Sequence, residues 1–221
     1  LAAAAGLQAA ATSISVLGTS TGVQSAALVA LANFDDVYTI SGNVADLGNA
    51  AVTAAIKQGA VSVTMTDTVA ALQGGGLAYT DVDTIIVSDT LAAIGGAAAA
   101  TITAAASLVV SDNNLTIADA AAVNALTKPA TYDVVDSFAD FTNAAGTAAA
   151  SDAVGTMLTG ARTVTLSDAT NTVAQYNVIA GLTSGTIVNN AAVTGTTLTI
   201  SDTIANLATS GAAAAVAAAA G

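Results

Sequence analysis

The chain has 221 residues, 54% hydrophobic but only 3% aromatic, with no Cys, His or Trp and a net charge of −12. Three basic residues stand against fifteen acidic ones, and every acid is an Asp, a balance that excludes nucleic acid and anionic membrane surfaces as partners because both need basic patches. The missing Cys and His remove disulfides, thiolate metal sites and the commonest acid–base catalyst.

Residues 1–12 form an Ala-rich segment without the basic start of a signal peptide. From residue 13 a ten-residue phrase recurs: apolar, any, apolar, Ser or Thr, Asp, Ser or Thr, apolar, Ala, any, apolar. Val63–Leu72, Ile85–Ile94 and Leu198–Leu207 are full copies. The central residue marks each repeat: Gly18, Gly42, Asp67, Asp89, Asp112, Asp136, Asp168, Asn190 and Asp202. Most markers lie 22 to 25 residues apart; the step from Asp136 to Asp168 is 32, and that from Asn190 to Asp202 is 12.

Two residues before the markers stand Val16, Ile40, Met65, Val87, Val110, Val134, Leu166, Val188 and Ile200, all apolar. Four before them the residues are again apolar, Thr186 excepted. This period-two alternation predicts a short strand closing at each marker. After the marker, apolar residues come at plus two and plus five: Val44 and Leu47, Val69 and Leu72, Leu91 and Ile94, Phe138 and Phe141, Ile204 and Leu207. That spacing, with Ala-rich stretches such as Ala50–Ile56, suits one face of a helix.

The expected fold is an α/β solenoid, with one strand plus one helix per coil of about 23 residues and a parallel sheet along one side. The alternative is a right-handed parallel β-helix. It is favoured by Gln73-Gly-Gly-Gly76 and Gly95-Gly96, since each interior Gly costs a helix about 1 kcal/mol relative to Ala. A doubly wound domain does not explain why one phrase returns in one register. A single solenoid domain over 13–210 is expected, flanked by Ala-rich segments 1–12 and 211–221. Leu91 to Val110 carries no charge over twenty residues, enough for a membrane span. Its Ala, Gly and Thr content and its place in the register make it a repeat instead.

The ladder residues Asp67, Asp89, Asp112, Asp136, Asp168 and Asp202 read as structural caps, each accepting an N–H from the helix that follows it. The competing reading is Ca2+ held between coils by hard oxygen ligands. A second group, Asp36, Asp81, Asp83 and Asp133, lies at loops entering strands and supplies candidate calcium ligands. Calcium is the one cofactor this sequence suggests. Gly18-Thr-Ser20-Thr-Gly22 matches a nucleophile elbow by letter, but without His it has no partner base. A β-helical glycan-active enzyme using paired Asp ranks last, because the aromatic and basic residues that grip sugar are nearly absent. Ser41, Thr66, Ser88, Ser111, Ser167 and Ser201, with Thr39, Thr64, Thr165 and Thr199, alternate with the core positions. They predict a hydroxyl-rich outer sheet face, a candidate surface for glycan or ice.

The recurring Ser-Asp-Thr phrase, in a Cys-free chain rich in Ala, Thr, Val and Asp, resembles the repeat regions of large bacterial cell-surface proteins over residues 13–210. Surface-layer proteins, haemolysin-like calcium-binding proteins and giant adhesins are of this type. The resemblance implies an extracellular or cell-surface location and a non-catalytic role as scaffold, filament subunit or surface-layer element. The G-G-x-G-x-D nonapeptide of calcium-binding β-rolls is absent; Gly74-Gly-Gly76 precedes Asp81 and Asp83 at a different spacing. Both termini lack the Lys, Pro or charged residues that block strand edges. Self-association, or continuation into further coils, is therefore expected.

Overall fold

A computed structural model describes residues 14–17, 38–48, 57–75, 78, 80–189, 201–208, 213 and 215. The Ala-rich stretch 50–56, the markers Gly18 and Asn190, the Gly18–Gly22 pentapeptide and Asp36 lie outside these described residues.

The chain divides into two compact units, 1–109 and 110–221. Each unit has its own buried aliphatic cluster. Val63, Met65, Leu72, Val87 and Leu108 are under 2% exposed in the first, as are Val134, Phe141, Leu158, Val164 and Ile179 in the second. With few aromatics and many Val, Leu and Ala, the described interior is mostly aliphatic.

The first unit carries β1 (Ile14–Leu17), β2 (Tyr38–Gly42), β3 (Ser62–Asp67), β4 (Thr84–Asp89) and β5 (Ser107–Val110), adjacent in that order in the sheet. The pairs from β1 to β4 are parallel. Helices follow the strands: α1 (Val44–Leu47), α2 (Val69–Gln73), α3 (Leu91–Gly95) and α4 (Ala99–Ala104).

The second unit holds a 3-10 turn (Ile117–Asp119) running into α5 (Ala120–Asn124), then β6 (Ala130–Thr131), β7 (Asp133–Asp136), α6 (Phe138–Phe141), α7 (Asp152–Gly160), β8 (Thr163–Leu166), α8 (Val173–Leu182), β9 (Thr186–Asn189) and α9 (Ile204–Leu207). Strands β7, β8 and β9 pair in parallel. The architecture is α/β, with strands and helices alternating along a parallel sheet. The all-strand alternative fails among the described residues because a helix follows the marker in every well-described repeat.

Local chemistry explains the alternation. In β3 the inward Val63 and Met65 are buried while Thr66 is exposed, the pattern of a sheet with one apolar face. Thr68 then leaves the strand, and its side chain accepts the Ala71 N–H at 3.3 Å, starting α2. Val69 and Leu72, three residues apart, bury the helix's one apolar stripe. Thr90 repeats this for α3, with Leu91 and Ile94 buried. Gly95 and Gly96 close α3, and Ala99–Ala104, in a segment whose glycines favoured the all-strand alternative, forms a second helix instead, because Ala is the strongest helix former once Gly96 is passed.

The long interval after Asp136 is filled by an added turn and a nine-residue helix. An antiparallel bridge joins Thr142 to Ala149, and the turn closes through Gly146, whose φ of 64° favours glycine. Helix α7 comes next, burying Val154, Met157 and Leu158.

The strand register determines which backbone groups the marker carboxylates can reach. Strands β1 and β2 run in step, Leu17 opposite Ser41. Three further pairs are offset by two residues: Gly42 lies opposite Met65, Asp67 opposite Val87, and Asp136 opposite Leu166; in the β8–β9 pair Leu166 lies opposite Asn189 instead. In the three offset pairs a marker Asp is carried two residues past its neighbour's marker, level with the first residue of the neighbour's helix. Among the described residues no helix is long and apolar enough to cross a membrane.

Candidate functional site

Five ladder carboxylates reach a helix that is not their own, three of them (Asp67, Asp89 and Asp168) through this offset. Asp67 Oδ2 accepts the Val44 N–H at 2.9 Å, and Asp89 Oδ2 accepts that of Val69 at 3.0 Å. In the second unit Asp136 takes the Ile117 N–H at 3.3 Å, Asp168 that of Phe138 at 2.7 Å, and Asp202 that of Val173 at 3.1 Å. Every donor is the first residue of a helix or 3-10 turn, one repeat earlier in the chain for four of them, while Asp202 reaches back past the Asn190 marker to the helix after Asp168. The other oxygen often stays at home: Oδ1 of Asp67, Asp89, Asp136 and Asp202 accepts the next residue's N–H at 2.7 to 3.0 Å. One carboxylate thus joins two repeats through backbone donors alone.

This corrects the expectation that each Asp caps the helix after it. That cap is the following hydroxyl residue: Thr68, Thr90, Ser137 or Thr203. The Asp instead satisfies the first unpaired N–H of the preceding repeat's helix, one of the four donors a helix start leaves open. Asp112, the remaining ladder residue, is half-buried two residues past the end of β5. Three helix or 3-10 starts add a capping box in which the third residue returns a bond: Asn43 with Asp46, Thr116 with Asp119, and Thr172 with Gln175. The spacing of cap and acid or amide is legible in the sequence, and it is the signal that finds these residues.

The carboxylates differ electrostatically. Burial pushes the Asp136 carboxyl above its ordinary range, against the pull of the Ile117 and Ser137 N–H groups, and the nearby Asp140 adds to the rise. Asp202 is held below that range, first by the Asn206 amide, which donates to Oδ1 at 2.6 Å, and then by Thr203.

Of the four candidate calcium ligands Asp36 lies outside the described residues, and Asp81, Asp83 and Asp133 each have a partner within their own unit. Asp81 pairs with the nearly buried Lys57 ammonium at 3.4 Å. Asp83 Oδ2 accepts the Val63 N–H at 2.8 Å, continuing the ladder of the sheet. Asp133 faces the Arg162 guanidinium, whose Nε donates at 3.0 Å and whose Nη2 reaches the second oxygen. That pair, led by the Arg162 hydrogen bond, lowers the Asp133 carboxyl. Among the described residues no group of three Asp is placed to hold a metal ion.

The hydroxyl face is continuous across three strands of the first unit, with Ser41, Thr64 and Thr84 directly side by side and half-buried. Thr66, Ser111, Ser167 and Ser201 are exposed. A shallow groove in the second unit, lined by Gly155, Thr156, Thr159, Gly160 and Gly181, offers one carboxylate, Asp152. A lone acid supplies no acid–base pair for hydrolysis. Comparison with family models, with curated proteins and with solved structures gives no match for this chain.

Proposed function

We propose that the chain is a non-catalytic structural segment of a secreted or cell-surface bacterial protein, an α/β solenoid that serves as scaffold, filament subunit or surface-layer element. The observation that supports this reading is the joint itself. The same carboxylate oxygen meets the same helical position at Val44, Val69, Ile117, Phe138 and Val173. A repeated bond between sequence neighbours builds length and stiffness, with each repeat held by the next. Asp67, Asp89, Asp136, Asp168 and Asp202 accept from main-chain donors, and Asp81 and Asp133 form ion pairs, which suits a load-carrying role better than chemistry.

Sedimentation and electron microscopy on the purified chain test this. Filaments, sheets or reversible self-association are expected. A monomer that stays dispersed at high concentration would sink the filament and surface-layer forms of the proposal. A melting curve with and without Ca2+ separates a plain scaffold from a calcium-dependent one. A second reading, a glycan- or ice-binding face, is favoured by the Ser41–Thr64–Thr84 row. A glycan array and a thermal-hysteresis measurement test it, and silence in both removes it.

A further inference from the structure

The detour after Asp112 carries a motif whose leading residue, Asn114, has no part in the joint or the capping box. Asn114-Leu115-Thr116 is the one Asn-x-Ser/Thr triplet in the 221 residues, the acceptor form for an Asn-linked glycan on a surface loop. The fold presents it accordingly. Leu115 pairs with Val134 in a parallel bridge, its carbonyl accepts the Val135 N–H at 2.7 Å, and its side chain is 4% exposed. Successive side chains of an extended segment point to opposite sides. With Leu115 held inward, Asn114 is turned outward, and it is exposed, outside any helix or strand.

The detour after Asp168 is the contrast. Asp168-Ala169-Thr170-Asn171-Thr172 sets its Asn one place later, at the inward position that Leu115 fills in the other. Asn171 is fully buried and is followed by Thr172-Val173, so it can be no acceptor. Exposure and a hydroxyl two residues on are met together at Asn114. The Thr116 hydroxyl, which a transferase must read, donates to Asp119 Oδ2 at 3.2 Å. Behind that bond is a 3-10 turn of three residues, Ile117–Asp119. So short a turn lies at the low end of local stability, and the hydroxyl can be released without unfolding the sheet. Asp112, two residues before Asn114, adds a carboxylate by which a basic groove can hold the segment.

We infer that Asn114 is an N-glycosylation acceptor. Its amide nitrogen attacks the anomeric carbon of a lipid-pyrophosphate-linked oligosaccharide held by a membrane-bound oligosaccharyl transferase. The new N–C bond replaces the bond from that carbon to the pyrophosphate oxygen. The lipid pyrophosphate leaves, and the amide proton passes to a base of the transferase. The chain supplies the acceptor alone. The inference rests on the secreted location in the reading above and not on its filament form.

Peptide mass spectrometry tests it on the full chain, exported by a bacterium that carries an oligosaccharyl transferase with its polyprenyl-pyrophosphate oligosaccharide. A terminal acceptor tag on the same chain is the internal standard. The expected result is a mass gain of one oligosaccharide on the peptide that holds Asn114. Asn114→Gln and Thr116→Val should lose it, while Thr116→Ser and Asn113→Gln keep it. A bare Asn114 beside a modified tag would overturn the inference, and so would modification that survives Thr116→Val. Asn114→Gln changes an exposed side chain, so it decides if Thr116→Val fails to fold: loss supports the assignment and persistence overturns it. Fractionation of the cells that make this chain addresses the surface reading separately. A chain confined to their cytoplasm removes that reading, while the exported chain still scores the acceptor.

Discussion

Two kinds of repeat occur in this chain, and the difference between them identifies which helix a ladder aspartate serves. After Asp67 and Asp89 the capping Thr follows at once. After Asp168 three residues, Ala169, Thr170 and Asn171, intervene before the cap Thr172, and the same number separates Asp112 from Thr116. If the Asp existed to cap its own helix, the insertion would abolish its role. Asp168 nevertheless keeps its bond to Phe138 in the previous repeat. The inserted residues also pair: the Leu115 carbonyl accepts the Val135 N–H at 2.7 Å, and that of Asn171 accepts the Ser201 N–H at 2.8 Å. The chain tolerates a detour after the marker because the marker looks backward.

The largest expected effect tests the register on which both kinds of repeat depend. Val87 is completely buried. Val87→Asp places an unpaired charge among aliphatic neighbours and should cost about 4 kcal/mol or more; an unchanged melting temperature would refute the inward assignment of this position.

Asp168→Ala comes next. Loss of a charge-assisted cap should cost about 1 to 2 kcal/mol, and the location matters more than the size. Hydrogen exchange should rise in α6, one repeat back, while α8 keeps its Thr172–Gln175 box. Exchange rising in α8 instead would restore the forward-capping view.

Asn171 sharpens the comparison within the opened repeats. It and Leu115 each precede the cap and are 0% and 4% exposed, but neither polar atom of the Asn171 side chain finds a partner. Asn171→Leu should therefore stabilise the chain by about 1 kcal/mol, since an unsatisfied buried amide is exchanged for apolar packing. A melting temperature that falls would show that the amide has a role its surroundings do not reveal.

The smallest effect is in pH, and its sign differs between joints. Asp136 titrates above the ordinary carboxylate range in the folded chain, so its own contribution to stability declines as pH rises through that window. Asp202 and Asp133 titrate below that range, and the stability they add is lost as pH falls through their folded values. As pH falls, carboxyl NMR titration should find Asp136 taking its proton before Asp133 and Asp202; the reverse order would contradict the burial of Asp136.

Much of the fold was legible. Period-two runs such as Tyr132–Val134 and Val164–Leu166 place their inward residues correctly, because burial of one sheet face leaves a direct mark on residue type. The plus-two and plus-five positions likewise located the apolar stripes of α2 and α3. The target of the ladder carboxylates was not legible. Reach between Asp67 and Val44 is set by a two-residue offset of adjacent strands, and neither residue type reports an offset. For the same reason Asp81, Asp83 and Asp133 looked alike in the sequence, while Lys57, the Val63 backbone and Arg162 send each to a different partner.

The joint's donors are main-chain groups, so it imposes no side-chain code on the repeat it grips. Val44, Val69, Ile117, Phe138 and Val173 present the same N–H despite differing in size and shape. A repeat can therefore be duplicated, lost or exchanged for another without a matching substitution next door. A chain joined in this way can change its length by whole units in a single genetic event.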